Sequence, residues 1–309
     1  MSTPDLDGDR PIDVAHLRKR FGEKIALADL TLQLDRGQIF GAVGANGGGK
    51  TTALRILAGL LRADAGGGRV LGVDLREHSS RLRARVGYMT QHYSLYRDLT
   101  VTENLLARAR IYGVADPRRR VTTLLGQFGL EKFASERVGL LSGGWMRRVQ
   151  FAATLVPQPR LLLLDEPTAG LDLETSRHLW DAVAKLAADG TTIVISSHDL
   201  VEASRCEVVG VFVEGEVIAQ GTVEEVIERS AAHVLRVANA PTDLAAMQRA
   251  LPELAFVRRG GRHHDLVFRG EIEEPSFAWL RSQNATAQTV EATLEDAMSI
   301  YVKPEPPRT

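Results

Sequence analysis

Lys50 and Thr51 follow a run in which five of nine residues are glycine, "GAVGANGGGKTT" at 41–52. Glycine is costly to order, so three in a row at Gly47, Gly48 and Gly49 need a reason. The run from Gly44 through Ala45, Asn46, Gly47, Gly48 and Gly49 to Lys50 and Thr51 fits the spacing G-x-x-x-x-G-K-[ST]. That spacing lets backbone N–H groups converge on a phosphate with no Cβ in the way, while the following helix aims its positive end at the same point. Lys50 would then reach the β and γ phosphates, and the Thr51 hydroxyl would coordinate Mg²⁺. Thr52 closes the nucleotide-binding segment.

A second stretch supplies the complementary acid chemistry. "LLLLDE" at 161–166 reads as a buried strand that delivers Asp165 to the carboxyl edge of a sheet, where ligands bind in open α/β folds. Asp165 can hold Mg²⁺, and Glu166 can polarise an attacking water as general base. An apolar run ending in Asp-Glu would more often be structural. Beside a phosphate loop, the chemical reading wins.

Elements must bring these residues together. "QIFGAV" reads as a short buried strand before the loop, and Thr51–Leu61 as a helix with Leu54, Leu57, Ala58 and Leu61 on one face. Two further strands, "IDVAHLRKRFG" and "LADLTLQLDRG", come earlier. Residues 92–155 look helical, with Thr100 as a cap candidate and Glu103 in the first turn after it. "TTIVIS" and "EVVGVFV" return to strand, with "LETSRHLWDAVAKLAADG" as a helix before them. This alternation argues for a mostly parallel, helix-covered sheet. "VFVEGEVIAQG" reads as a hairpin turning at Glu214–Gly215.

From about residue 233 the pattern changes to strand (233–238), helix (241–250), strand (254–258), strand (264–268), helix (273–282), strand (286–290) and helix (292–301). The first six elements have the order of a split βαβ unit. The end, "KPEPPRT", is expected to be disordered.

Composition narrows the function. The 309 residues carry 38 basic and 39 acidic side chains, a balance unlike that of a nucleic-acid binder. The one cysteine, Cys206, excludes an internal disulfide and reads as a small buried group. No run approaches the roughly 18 apolar residues of a membrane span, and the polar N-terminus is not a signal peptide. No covalent membrane anchor is expected. His263, His264 and Asp265 lack further ligands at metal spacing. "NAT" at 284–286 matches a sequon that a cytosolic chain would not use.

Further motifs follow in order, and together they resemble one family: the ATPase subunits of ATP-binding cassette (ABC) transporters. "LSGGWMRR" at 141–148 is similar to the family signature, with Ser142, Gly143 and Gly144 at its centre. Gln91 stands where the family has its Q-loop glutamine, "AGLD" at 169–172 matches the D-loop, and His198 matches the switch histidine. Phe21 falls at the adenine-stacking aromatic, with a core residue as its alternative. The resemblance covers residues 11–228.

What the resemblance implies is an α/β P-loop NTPase of the ABC cassette type: a mixed sheet core, a helical subdomain at about 92–155, and a small C-terminal α+β domain at 233–302. It implies ATP and Mg²⁺ as cofactors, with Phe21, residues 44–52 and Ser142–Gly144 binding nucleotide. Thr51, Gln91 and Asp165 would serve the metal, and Glu166, His198, Gln91 and Lys50 catalysis. A head-to-tail dimer follows, most simply a homodimer, in which the signature of one cassette closes over the ATP of the other. A monomer would hydrolyse ATP poorly. Work would pass through the helical subdomain to transmembrane permease subunits, which puts the chain at the cytoplasmic face of the membrane.

"GYMTQHYSLYRDLTVTENLLARARIYGV" and "ATLEDAMSIYV" look like single-cassette type-2 exporters, which include multidrug and antibiotic exporters. An importer ATPase and a soluble non-transport cassette protein remain alternatives at this point. Three positions depart from the family pattern. Trp145 replaces glutamine, Ala45 a frequent proline, and Gly48 a frequent alanine or serine. Alanine at Gly48 is therefore expected to keep activity and slightly stabilise the empty loop, provided the backbone φ there is negative.

Overall fold

The structure, a computed structural model, describes residues 10–77, 80–240, 243–261 and 263–302. The "KPEPPRT" segment lies outside the described residues.

Strands β1 (Ile12–Phe21) and β2 (Lys24–Leu34) pair antiparallel, and both alternate inward apolar with outward polar residues. Strand β3 (Ile39–Val43) is buried along its whole length and leads into the glycine loop. Helix α1 (Lys50–Leu57) follows. It is shorter than the expected 51–61, because Gly59 turns the chain out at φ 67.

Strands β4 (Ala65–Val70) and β5 (Val73–Asp74), a short helix α2 (Ser80–Arg83) and strand β6 (Val86–Met89) come next. Helices α3 (Val101–Ile111), α4 (Pro117–Gln127) and α5 (Gly143–Thr154) form most of the 92–155 region. Thr100 and Glu103 cap α3 reciprocally, each side chain taking the other residue's backbone N–H. Strand β7 (Leu161–Asp165), helix α6 (Leu173–Ala188), strand β8 (Thr192–Ser197), the short helix α7 (Leu200–Ala203) and strands β9 (Val208–Val213) and β10 (Glu216–Gly221) complete the large sheet, and helix α8 (Val223–Ser230) follows. Glu214 and Gly215 turn the β9–β10 hairpin, both at positive φ.

The sheet has ten strands in the order β5-β4-β1-β2-β10-β9-β3-β8-β7-β6. Neighbouring strands run parallel along β9-β3-β8-β7-β6 and between β2 and β10, and the other four neighbouring pairs are antiparallel. The sheet is mixed: parallel pairing prevails where strands and helices alternate, as expected, while the first two strands pair antiparallel with each other and, through β1, with β4. Alternation in β1 and β2 carried that information.

A separate four-stranded antiparallel sheet follows, from β11 (Ala232–Ala238), β12 (Leu254–Arg259), β13 (His263–Arg269) and β14 (Thr286–Val290), in the order β12-β13-β11-β14. Helices α9 (Leu244–Ala250) and α10 (Glu274–Ser282) contribute to its own apolar cluster with Leu235, Leu266 and Phe268. The last helix, α11 (Leu294–Tyr301), bridges two units. Ile300 packs with Val234 and Val267, whereas Leu294 and Met298 join the cluster of the large sheet. The Tyr301 hydroxyl donates to the Val226 carbonyl of α8 at 3.0 Å.

Candidate nucleotide and catalytic site

Register builds the site. Along the parallel strands, Val43 of β3 pairs Ser197 of β8, Ser196 pairs Asp165 of β7, and Met89 of β6 pairs Leu164. Four strands therefore end side by side, and the residues just beyond them are Gly44, His198, Glu166 and the Thr90–Gln91 turn. Four loops distant in sequence share one sheet edge.

The glycine loop cradles a cleft of about 400 Å³, lined by Asn46 to Thr52 together with Phe21, Lys24, Ala26, Gln91 and Glu166. Phe21 is half-exposed at this wall, so the core alternative is set aside. At Gly44, φ is 148, and a Cβ would fall 2.1 Å from the Phe212 carbonyl. Only glycine fits there. Gly48 has no positive φ, yet a Cβ would lie 2.9 Å from the Phe212 carbonyl and 3.2 Å from that of Ala45. The expectation that alanine is harmless at Gly48 is corrected: the constraint is contact, not φ.

Lys50 is 5% exposed and donates to the carbonyls of Gly44 at 2.6 Å and Ala45 at 2.9 Å. Its ammonium is thus held across the mouth of its own loop. Burial pulls its pKa down, and the Glu166 and Asp165 carboxylates partly offset that.

Thr51 donates its hydroxyl to Asp165 Oδ1 at 2.9 Å, and Ser196 donates to the same oxygen at 2.7 Å. Tyr88 donates to Asp165 Oδ2 at 3.3 Å. Burial and the Asp165 charge push the Tyr88 phenol up to about 12, so it stays a donor. A hydroxyl and a carboxylate in contact are the donor set that magnesium takes when substrate phosphates complete its shell. The described residues contain no group of three or more His, Cys, Asp or Glu that would form an all-protein cage instead. The residues fit the ion.

Glu166 is 8% exposed and sits at φ 47, a left-handed conformation that costs a non-glycine residue about 1–3 kcal/mol. Its N–H bonds Ser196, both to the carbonyl at 3.1 Å and to the hydroxyl at 3.0 Å. Gln91 and His198 approach the two oxygens of its carboxylate.

A family model described as ABC transporter matches residues 27–169. Over 284 residues the chain is 38% identical to the Nod factor export ATP-binding protein I of Ralstonia nicotianae, a match spanning 90% of this chain and 88% of that protein. The chain belongs to the ABC transporter ATP-binding subunits. It is also 35% identical over 226 residues to the probable multidrug ABC transporter ATP-binding protein YbhF of Escherichia coli, and there spans only 39% of that protein's length. A solved ATP-binding cassette, dimeric and in a post-hydrolysis state with ADP and Pi, matches at TM-score 0.62 and 27% identity, covering 69% of this chain and 97% of the other.

Within this cassette, the signature stands apart from the loop's cleft. Ser142 is the residue before the first turn of α5 and makes no side-chain capping bond, Gly143 and Gly144 begin that turn, and none of the three lines the cleft that holds Lys50. Trp145 makes a contact that its family position did not foretell. Its ring lies 4.5 Å from that of Phe133, with Lys132 Nζ at 4.8 Å and the Arg148 guanidinium at 4.5 Å. Cations stack on the indole and anchor the first turn of α5.

The sequence reading also missed Lys24, Tyr88, Arg147 and Glu202. Glu202 accepts the Thr168 hydroxyl at 2.6 Å and that of Ser197 at 3.1 Å, joining the residue before the D-loop to the residue before His198. Its signal was its place four residues after His198. Cys206 is buried, and burial raises its thiol to about 12, so it is inert. Asp265 is held by Arg236 and Arg258.

Proposed function

We propose that this cassette hydrolyses ATP as one of two facing copies and drives export of a drug, another small molecule or a lipid through separate permease subunits at the cytoplasmic face of the membrane. The observation that carries the reading is the Glu166 carboxylate, flanked by Gln91 and His198 beside the Thr51–Asp165 pair.

Phosphoryl transfer needs positioning and charge neutralisation more than covalent chemistry. The loop amides of residues 44–52 and the start of α1 bind the phosphates, and Lys50 exchanges its two carbonyls for phosphate oxygens. Phe21 and Lys24 flank the nucleotide's other end. Mg²⁺, held by Thr51 and Asp165 with Gln91 beside them, would neutralise the phosphate charge. Glu166 accepts the proton of the attacking water, and His198 orients that carboxylate. Ser142–Gly144 of one copy would complete the site of the other, in keeping with their absence from this chain's own cleft. Residues 11–228 form the cassette and 233–302 an accessory domain fastened through α11.

No helix among the described residues is long and apolar enough to cross a membrane, so the pathway needs a partner. The reading is tested by purifying tagged protein from detergent-solubilised membranes. Retention of a multi-span protein, released or tightened by ATP, is the expected result. Co-sedimentation with ribosomes and no membrane partner would contradict it.

A further inference from the structure

Arg147 is 2% exposed, yet no carboxylate is among its hydrogen-bond partners. A buried guanidinium is expensive unless its donors are satisfied. Here the donors end on backbone carbonyls from two separate loops. Toward the end of β6 they reach Gln91 at 2.7 Å and Thr90 at 3.3 Å. Beyond β7 they reach Pro167 at 2.9 Å, Asp165 at 3.4 Å and, closest of all, Glu166.

One turn further along α5, Gln150 is fully buried and reinforces the hold. Its Nε2 donates to the carbonyls of Thr90 and His92, both at 3.0 Å, and its Oε1 accepts from Arg147 at 3.3 Å. Residues three apart on a helix share a face, so the pair grips the Gln91 turn as one unit.

The N-terminus of the same helix is the Ser142–Gly144 signature. One end of α5 therefore faces a nucleotide held by another copy, while Arg147, one turn in, holds the backbone of Gln91 and Glu166, which serve this chain's own nucleotide. We propose that Arg147 is a positioning residue that couples the two ATP sites of a facing pair, by transmitting the seating of one signature to the Gln91–Glu166 pair of the other site. The proposal rests on the facing-pair reading above. A helix is stiff along its length, and a guanidinium fork fixes direction as well as distance. Displacing the signature drags carbonyls of both loops. Coupling of this kind acts equally in both directions.

The test uses the full chain, its permease where it co-purifies, and the variants Arg147→Gln and Arg147→Lys. ATP hydrolysis is followed against ATP concentration, together with ATP affinity without Mg²⁺ and thermal melting. Wild type is expected to show a Hill coefficient approaching about 2, the number of coupled sites. Both variants are expected to fall toward about 1, with kcat lowered about tenfold or more and Mg²⁺-free ATP affinity within about twofold. Lysine keeps the charge without the fork, so it recovers part of kcat but not the cooperativity.

Variants that retain wild-type cooperativity at lower kcat overturn the proposal. So does loss of the folded transition in both, which assigns Arg147 to stability alone. A wild type with neither cooperativity nor ATP-dependent pairing fails earlier, at the facing-pair reading, and takes this proposal with it.

Discussion

Gln91 donates from Nε2 to Glu166 Oε2 at 3.0 Å, and His198 Nδ1 lies 3.4 Å from Oε1 of the same carboxylate. One oxygen is thereby held and the other approached by residues just beyond β6 and β8, the strands on either side of β7. In its proposed role as base, a carboxylate so constrained loses little entropy when water arrives. Replacing Gln91 with alanine frees one oxygen while leaving the glycine loop untouched. The expected result is a kcat lowered about 10- to 100-fold with KM for ATP changed by only a few-fold, read from steady-state kinetics. A raised KM at constant kcat would instead make Gln91 a binding residue.

Lys50→Ala removes a buried cation and leaves the Gly44 and Ala45 carbonyls without their donor. ATP affinity is expected to fall by about 100-fold or more, equivalent to roughly 3 kcal/mol for a charge-assisted contact. Titration calorimetry measures this directly. Unchanged affinity would remove the loop from the nucleotide site.

Gly48→Ala puts a methyl against two backbone oxygens that belong to the loop and to β9. Neither is the movable end of a side chain, so the loop must shift. The variant is expected to melt lower by a cost of about 1–3 kcal/mol and to bind ATP more weakly. Equal or higher stability would show that the loop yields freely.

Asp265 is buried between Arg236 and Arg258, and Arg258 also forms ion pairs with Glu295 and Asp296 of α11. The hydrogen bond from Arg236, followed by that from Arg258, holds the Asp265 carboxyl down at about 2, against an ordinary 3.8. A depressed carboxyl stabilises the fold above its ordinary value, and that contribution is lost as the pH falls through 3.8 toward about 2. Asp265→Asn should therefore melt lower at neutral pH, by about 1–3 kcal/mol given the exposure of the arginines, and the gap to wild type should close in strong acid. A gap constant with pH would refute the ion pair as its source.

Much of this architecture was legible because it is local. The glycine spacing, the strand before Asp165, the Thr100–Glu103 cap and the alternating periods after residue 232 are each written within a dozen residues. Strands β4 and β6 escaped. "AGGGRV" carries no strand propensity, and its glycines answer to a tertiary demand: a Cβ on Gly68 would sit 2.2 Å from the Asp13 carbonyl of β1. "VGYM" is too short to show a period, yet its pairing of Met89 with Leu164 sets Gln91 beside Glu166. Arg147 and Tyr88 escaped for the same reason. Their partners are carbonyls and a carboxylate at the ends of other strands and in the loops beyond them, and no spacing along the chain records them.

In the proposed function, Glu166 is the base of an ATPase that works as a pair. The most direct measurement is phosphate release by Glu166→Gln, run beside size-exclusion chromatography in ATP and Mg²⁺. Glutamine keeps the shape and the Gln91 contact but cannot take a proton. Turnover is expected to fall about 100-fold or more, with unchanged ATP binding and a dimer that persists in ATP. Near-normal phosphate release from that variant would contradict that role for Glu166.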